Sequence, residues 1–540
     1  MPKLGDRKAD ELGNPDDRPD TYFLQQAIDT GLSAIAARLD PEERHRPYFS
    51  LRLQPTPRLD HDIWDLGDMC SRFVDAFILG RQVSGNTGYT EEDAALKALL
   101  YTCDPYANPF MASRMIITYV DEYLQEPSEE RRTRIDELVG TIRSHMTFED
   151  DYAYFFRQPP GWSSWDDAVF GNFTGYPTYP LGGIILALTR YLECCNAPEA
   201  EDILDRLCRF VIRVSGTFRS DGSYRGHTHS GGILTAAAGL FRWALLKGHS
   251  EVLAQMKGAF DWTVQNSSSW GWVPDGLGRT ETPCETCSIT DAVHLGLLIA
   301  GSMDSSYYGT VERYVRNHLL ESQFLRPELA LPDAEQNGAV AKALRGSWAS
   351  SSNPNSFDGH LGSTIEGCCL GGGIRGCFLA WDHAIEKQDN VVRVNLAFSR
   401  NSPWAEVISY EPYEGRVDVA MREAAQLEVR IPVWAPTSQL RVSIGNRPIP
   451  AQLSDSSYLR VENLNPGDRV RIEYPLQRRE SAEVLCGREY RAVWLGDTVV
   501  GISPQGQEYP LYERSHFERG AAPTVPDRPY LDQTGGPVHW

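Results

Sequence analysis

The sequence predicts a mainly α protein: an (α/α)6 barrel followed by a C-terminal β-sandwich domain. Three observations lead there. From about residue 20 to 387, apolar residues recur at helical spacing in about twelve separate segments. After residue 388 the spacing switches to alternation over short runs bounded by turn residues. No strict motif repeats along the helical part, which favours a closed ring of helical hairpins over a solenoid of identical units.

The elements follow in chain order. Residues 1–19 carry neither pattern and read as an N-terminal extension. The barrel, residues 20–387, begins with helices over "TYFLQQAIDTGLSAIAARL", "IWDLGDMCSRFVDAFILG", "EEDAALKALLYTC", "FMASRMIITYVDEYL", "RRTRIDELVGTIRSHM" and "YPLGGIILALTRYLECC". It continues through "AEDILDRLCRFVIRVSG", "GGILTAAAGLFRWALLKG", "SEVLAQMKGAFDWTVQN", "SITDAVHLGLLIAGS", "GTVERYVRNHLLESQF" and "GGGIRGCFLAWDHAIEK". In such a ring the inner helices line a cavity and the long loops at one end form its mouth. Residues 388–480 read as the sandwich, with strands in "NVVRVNLAFS", "AEVISYE", "GRVDVAM", "QLEVRIPVW", "QLRVSIG", "SYLRVE" and "DRVRIEYP". Residues 481–540 add a small β segment. The Pro- and Gly-rich end, "GAAPTVPDRPYLDQTGGPVHW", reads as a tail laid over the surface or disordered.

Composition narrows the partners. The chain has 540 residues, 41% hydrophobic and 23% charged, enough for a large core. A net charge of −21 argues against nucleic acid and anionic membranes as partners. The N-terminus lacks the apolar stretch of a signal peptide, and no run approaches the ~18 apolar residues of a membrane span. The expected location is the cytoplasm, where the 11 cysteines stay reduced. Homo-oligomerisation is left open.

Within "IEGCCLGGG", Cys368 and Cys369 are adjacent thiols in need of partners. The best candidates lie in "TETPCETCSITDAVHLG", where Glu285 and Cys287 stand at a helix start. Together the four offer one carboxylate and three thiolates, a donor set that suits Zn2+ over magnesium or calcium. There is no CxxC pair, and Cys284 can stand in for one of the named ligands. The plain alternative is that all four are core or loop residues.

"ETC" at a helix start, then "VERYVRNHLLESQF", then "GCC", resembles the family 127 glycoside hydrolases, which include β-L-arabinofuranosidases. "YPLGGIILALTRYLE", "VRVNLAFS", "GRVDVAM" and "LEVRIPVWA" extend the resemblance over about residues 60 to 440. The resemblance implies a barrel with β-sandwich appendages and zinc on Glu285, Cys287, Cys368 and Cys369. It also implies that Cys368 is the nucleophile. A thiol with an ordinary pKa of ~8.5 is mostly protonated at neutral pH, and a bound cation deprotonates it. The thiolate then attacks an anomeric carbon, and a second group moves the protons in a retaining mechanism.

The chain departs from the family in two places. The loop that would carry the acid/base glutamate, "SSSWGWVPDGLGRTETPCETC", is shorter here and offers Asp275 and Glu281. Asp275 is the preferred candidate by its order along the loop. The "PDG" context equally makes it a turn residue, and Glu281 could instead support the metal ligands. After the double cysteine the family has proline and asparagine, whereas this chain has "LGGGIRG". That run predicts a close backbone approach or a helix start with exposed N–H groups.

Candidate sugar-binding residues are His227 and His229 in "RGHTHSGG", which also form an alternative metal pair, and Trp270 and Trp272 in "SWGWVPD". Further candidates are His61, Trp64, Asp65, Asp68, Trp162, Trp165, His360 and Glu366. Against each aromatic stands the ordinary reading of tryptophan as a core anchor. The expected function is a zinc-dependent retaining glycosidase acting on a small carbohydrate. Its rivals are a non-hydrolytic carbohydrate-binding protein with a structural zinc, and a lyase or transferase on the same barrel.

Overall fold

The computed structural model describes residues 18–19, 21, 23–61, 66–85, 88–103, 109–155, 179–224, 230–277, 282–331, 333, 335–454, 458–518, 524–525 and 537–540. Its helices are α1 (Phe23–Ala37), α2 (Leu66–Ser84), α3 (Thr90–Thr102), α4 (Pro109–Gln125), α5 (Glu129–Ser144), α6 (Tyr179–Cys194) and α7 (Pro198–Arg213). They continue as α8 (Ser230–Lys247), α9 (Ser250–Gln265), α10 (Thr286–Ser302), α11 (Tyr307–Tyr314), α12 (Pro327–Ala330), α13 (Gly338–Leu344) and α14 (Gly367–Ala384). α11 runs on into a π-helical turn, Val315–Leu319. The short α12 and α13 have no counterpart among the predicted segments.

Two kinds of helix alternate. α7 buries one stripe, Ile203, Leu204, Leu207, Cys208, Phe210 and Val211, and opens with proline and two glutamates. It is an amphipathic outer helix. α8 buries every residue from Ser230 to Ala244, as a helix enclosed on all sides must. The enclosed helices pack in a closed cycle: α2 on α4, α4 on α6, α6 on α8, α8 on α10, α10 on α14, and α14 back on α2. Outside them, α3 covers α2, α5 covers α4, α7 covers α6, α9 covers α8 and α11 covers α10. α1 covers the seam between α14 and α2.

α14 starts at Gly367, upstream of the predicted segment, so Cys368 and Cys369 belong to its first turn. The strand Ile365–Glu366 leads into it and pairs with Ser50–Arg52. The Gly367 N–H donates to Phe49 O at 2.8 Å, which fixes the start of the helix. α14 ends at Ala384 because Ile385–Gln388 is already a strand, paired with Val391–Val394.

The "LGGGIRG" run has a packing cause. A Cβ on Gly371 would lie 3.0 Å from Arg72 Cβ, one on Gly372 3.2 Å from Cys287 Sγ, and one on Gly373 2.1 Å from Trp348 Cδ2. The glycines let α14 approach α2, α10 and Trp348 closely, and they leave room for the Cys287 sulfur. Trp348 is fully buried and its indole N–H donates to Leu319 O at 2.9 Å, so it cannot swing aside. Gly373→Ala is therefore expected to destabilise the fold by about 3 kcal/mol, the upper end of overpacking costs. Urea unfolding of the variant beside the wild type measures it.

Beyond the helices stand two sheets. One has five strands in the order Gln452–Leu453, Tyr458–Leu464, Ala425–Arg430, Val391–Val394, Ile385–Gln388. The other has six: Arg400–Asn401, Ala405–Ser409, Arg416–Met421, Arg469–Glu473, Arg441–Ile444, Arg447–Ile449. Val392, Leu427 and Leu459 from the first share one apolar cluster with Val407, Val419 and Val470 from the second. A third sheet, Arg478–Leu485, Arg488–Leu495 and Thr498–Ser503, packs Tyr490, Trp494 and Val499 onto the helical core.

The tail expectation needs correction at its end. Val538 and Trp540 lie inside the helical core, not on the surface. Specific hydrogen-bond partners hold them there, as described below.

Candidate active site

The site is built where α10 and α14 begin. Glu285 is the N-cap residue of α10, and Cys287 lies in its first turn. Glu366 is the N-cap residue of α14, followed by Cys368 and Cys369. The two starts meet. Cys287 Sγ and Cys369 Sγ are 3.8 Å apart, and the Cys369 thiol donates to Glu285 Oε1 at 3.2 Å. One ligand atom from each of Glu285, Cys287, Cys368 and Cys369 lies within 4.8 Å of the others, and all four residues are buried. Cys284 stands outside this group. Its backbone exchanges two 3.0 Å hydrogen bonds with Ser352 and bridges to Pro274.

Crowding of acidic groups dominates the electrostatics. The hydrogen bond to Cys287 and burial push the Cys368 thiol up, and burial with both neighbouring thiols pushes Cys369 up. All four groups cannot ionise together in a dry site without a cation. One positive charge is already near. The Arg38 guanidinium, wholly buried, donates to Phe49 O, Ile365 O and Ser347 Oγ at 3.1 Å each. Burial lowers it to about 10, while Cys368, Cys369 and Glu366 work in the opposite direction. It therefore stays charged at neutral pH.

A cavity extends from the cysteines between the inner helices. On α10 it is lined by Cys287, Asp291 and His294, and on α14 by Cys368, Gly372, Arg375 and Leu379. These are steps of three and four, one face of each helix. Arg72 and Asp75 of α2, Arg114 of α4 and Thr235 of α8 complete the polar lining. The guanidiniums are anchored by carboxylates: Arg72 to Asp68 at 2.8 Å, Arg114 to Asp68 at 3.3 Å, and Arg375 to Asp75 at 2.8 Å. Burial, then the nearby Cys287, pushes the Asp291 carboxyl up to about 6. Burial, then Arg242, holds His294 well below its ordinary value, so it is neutral. Arg242 Nη1 lies 3.3 Å from His294 Nε2. A guanidinium only donates, so Nε2 accepts and the proton sits on Nδ1.

The other predicted site residues divide three ways. Asp275 sits close by, with Oδ1 accepting from Ser288 Oγ at 2.7 Å, one residue after Cys287. Glu366 accepts from the Cys368 thiol at 3.4 Å. Trp270 and Trp272 are buried. Both indoles are core anchors, donating to Pro354 O at 3.1 Å and Ser352 O at 2.9 Å, and neither lines the cavity. His61 stacks on Tyr48 at 4.1 Å, and His360 bonds Asn353, both away from the cavity lining. Glu281, His227, His229, Trp64, Asp65, Trp162 and Trp165 lie outside the described residues. Sequence reasoning missed Asp291, His294, Arg375 and Arg38. The first three carry a readable signal, since they continue the helix faces that begin at Cys287 and Cys368.

A comparison with protein-family models gives no match, and neither does one with curated proteins. Solved structures do match. A GH127 β-arabinofuranosidase superimposes with a TM-score of 0.61 at 14% identity, covering 90% of this chain and 84% of its own. A GH127 β-L-arabinofuranosidase from Geobacillus stearothermophilus T6 gives 0.58 at 14%, covering 88% and 80%. A structure described as a glycoside hydrolase gives 0.57 at 12%, covering 81% and 78%. The chain shares its overall fold with these three solved structures. On that fold, the buried Glu–Cys–Cys–Cys group of this chain is one that could hold a metal ion, at the end of the cavity where α10 and α14 begin.

Proposed function

We propose that the protein is a zinc-dependent retaining glycoside hydrolase, with Cys368 as nucleophile, acting on a small glycoside such as a β-L-arabinofuranoside or related sugar. The observation that carries this is the convergence of Glu285, Cys287, Cys368 and Cys369 at the head of a polar cavity. The donor set fits zinc in kind and in size. Zinc–sulfur bonds of about 2.3 Å in a tetrahedron put two sulfurs about 3.8 Å apart, and Cys287 and Cys369 are 3.8 Å apart. When bound, the ion supplies the charge that keeps its thiols deprotonated.

Within the double cysteine, exposure to the cavity supports Cys368 as the nucleophile: it lines the cavity, as Cys287 does, and Cys369 does not. The Cys368 thiolate attacks the anomeric carbon, and the C–S bond forms as the glycosidic C–O bond breaks. A carboxyl gives its proton to the leaving oxygen. The same group then takes a proton from water, which displaces the sulfur and restores the configuration. The paired guanidinium and carboxylate groups of Arg72, Arg375, Asp75 and Asp68 suit sugar hydroxyls. The helical cycle is read as an (α/α)6 barrel over residues 20–387, the facing sheets as a β-sandwich over 388–480, and the cell compartment as the cytoplasm.

Asp275 and Asp291 compete for the acid/base role, with Glu281, in the same loop as Asp275, as the third candidate. Asp275 has the loop position; Asp291 lines the cavity. Asp275→Asn and Asp291→Asn, each assayed on alkyl and nitrophenyl arabinofuranosides and pyranosides, decide between them. The acid/base variant loses about 10²–10⁴-fold on the alkyl glycoside and far less on the nitrophenyl one, whose leaving group needs no proton. The other variant changes little. A first-formed product of inverted configuration, read by proton NMR, would exclude the retaining mechanism. Burial of the metal group also suits a structural zinc in a sugar-binding protein, which calorimetry would reveal as binding without turnover.

A further inference from the structure

At the opposite end of the helical cycle, residues 538–540 occupy the axis. Every inner helix contributes to holding them. Gln82 of α2 exchanges two 2.8 Å hydrogen bonds with the Val538 backbone. Asp382 of α14 accepts from the Trp540 N–H at 3.1 Å and meets His539 Nδ1 at 2.9 Å. Asp121 of α4 accepts from the Trp540 indole N–H at 3.1 Å. Around the ring stand Arg375 of α14 at 4.1 Å, Arg190 of α6 at 4.5 Å and Arg242 of α8 at 5.7 Å from its centroid. His294 of α10 meets it edge-on at 5.6 Å.

Two of these neighbours, Arg375 and His294, also line the cavity below Cys368. Each therefore has the candidate active site on one side and Trp540 on the other. An indole is a flat, low-entropy filler that attracts cations to its face. Its face adds a second contact to Arg375, which Asp75 already anchors at 2.8 Å.

We propose that Trp540 is the plug that closes the far end of the cavity and a positioning residue for Arg375 and His294, so that it sets how deep a sugar can enter. This deepens the glycosidase reading and rests on it for the ligand class, but the plug is testable without turnover.

The experiment uses the full chain loaded with zinc. Trp540→Ala is expected to bind added indole by calorimetry, which the wild type does not. It is expected to keep its metal, and to raise the KM of an aryl glycoside about tenfold with kcat changed less than threefold. Saturating indole is expected to bring KM back. Trp540→Phe, which keeps a ring beside Arg375 but loses the bond to Asp121, is expected to lie between, and it serves if the alanine variant does not fold. If the wild type turns over no glycoside, the glycosidase reading fails, and the affinity of L-arabinose by calorimetry replaces KM. Unchanged KM or affinity in both variants would overturn the positioning role. Absence of indole binding to a folded Trp540→Ala would overturn the plug.

Discussion

Cys368→Ala is expected to lower kcat by about 10⁴-fold or more, the scale seen when a covalent nucleophile is removed and binding is left intact. The expectation separates Cys368 from its neighbour. Both are in the first turn of α14, yet Cys368 opens to the cavity while Cys369 is turned wholly into the core. Loss of a ligand also weakens the metal, so metal content must be read on the same sample. A variant that still holds zinc on Glu285, Cys287 and Cys369 but has no turnover isolates the nucleophile. Mass spectrometry of wild type quenched during turnover should find the sugar on the peptide bearing Cys368. Full activity in Cys368→Ala would end the assignment.

Much of this was legible in the residues. Helical spacing located the enclosed helices because a helix buried all round reads as a nearly unbroken apolar run, as in "GGILTAAAGLFRWALLKG". The pairing of "ETC" with "GCC" was legible through the resemblance and not through spacing, since Cys194 and Cys195 are equally adjacent and join no such group among the described residues. Three things were not. Spacing shows that Asp291 and His294 share a face with Cys287, but not that this face looks into the cavity, which depends on the neighbouring helices. The glycines of "LGGGIRG" suggested close approach, but the partner, Trp348, lies more than twenty residues away in sequence. Trp270 and Trp272 looked like cavity aromatics because their loop is rich in Gly and Ser. Their N–H groups instead found backbone carbonyls at 354 and 352, which makes them core anchors. Trp540 was hidden for the converse reason. A Pro- and Gly-rich approach reads as surface tail, and nothing local announces six helices waiting for an indole.

Cys287→Ser and Cys369→Ser are each expected to abolish metal binding, from about one zinc per chain to nearly none, by elemental analysis of protein purified without chelator. Cys284→Ser is the control and should keep the ion, because its position is fixed by Ser352 and not by the cluster. The two losses should come with falling stability. A ligand held a thousandfold above its dissociation constant stabilises the folded state by about 4 kcal/mol, so chelation of the wild type should lower Tm by several degrees and leave the two serine variants unmoved. The physical reason is the group itself. Three thiols and a carboxyl share less than 5 Å of buried space, and without a cation the bond to Cys287 and burial push the Cys368 thiol up, while burial and the neighbouring thiols push Cys369 up. A neutral Cys368 thiol is a poor nucleophile. A well-folded wild type with no metal would therefore remove the thiolate as well as the ion, and the glycosidase reading would fall with it. Metal lost in both variants would tie residues more than eighty positions apart into one site.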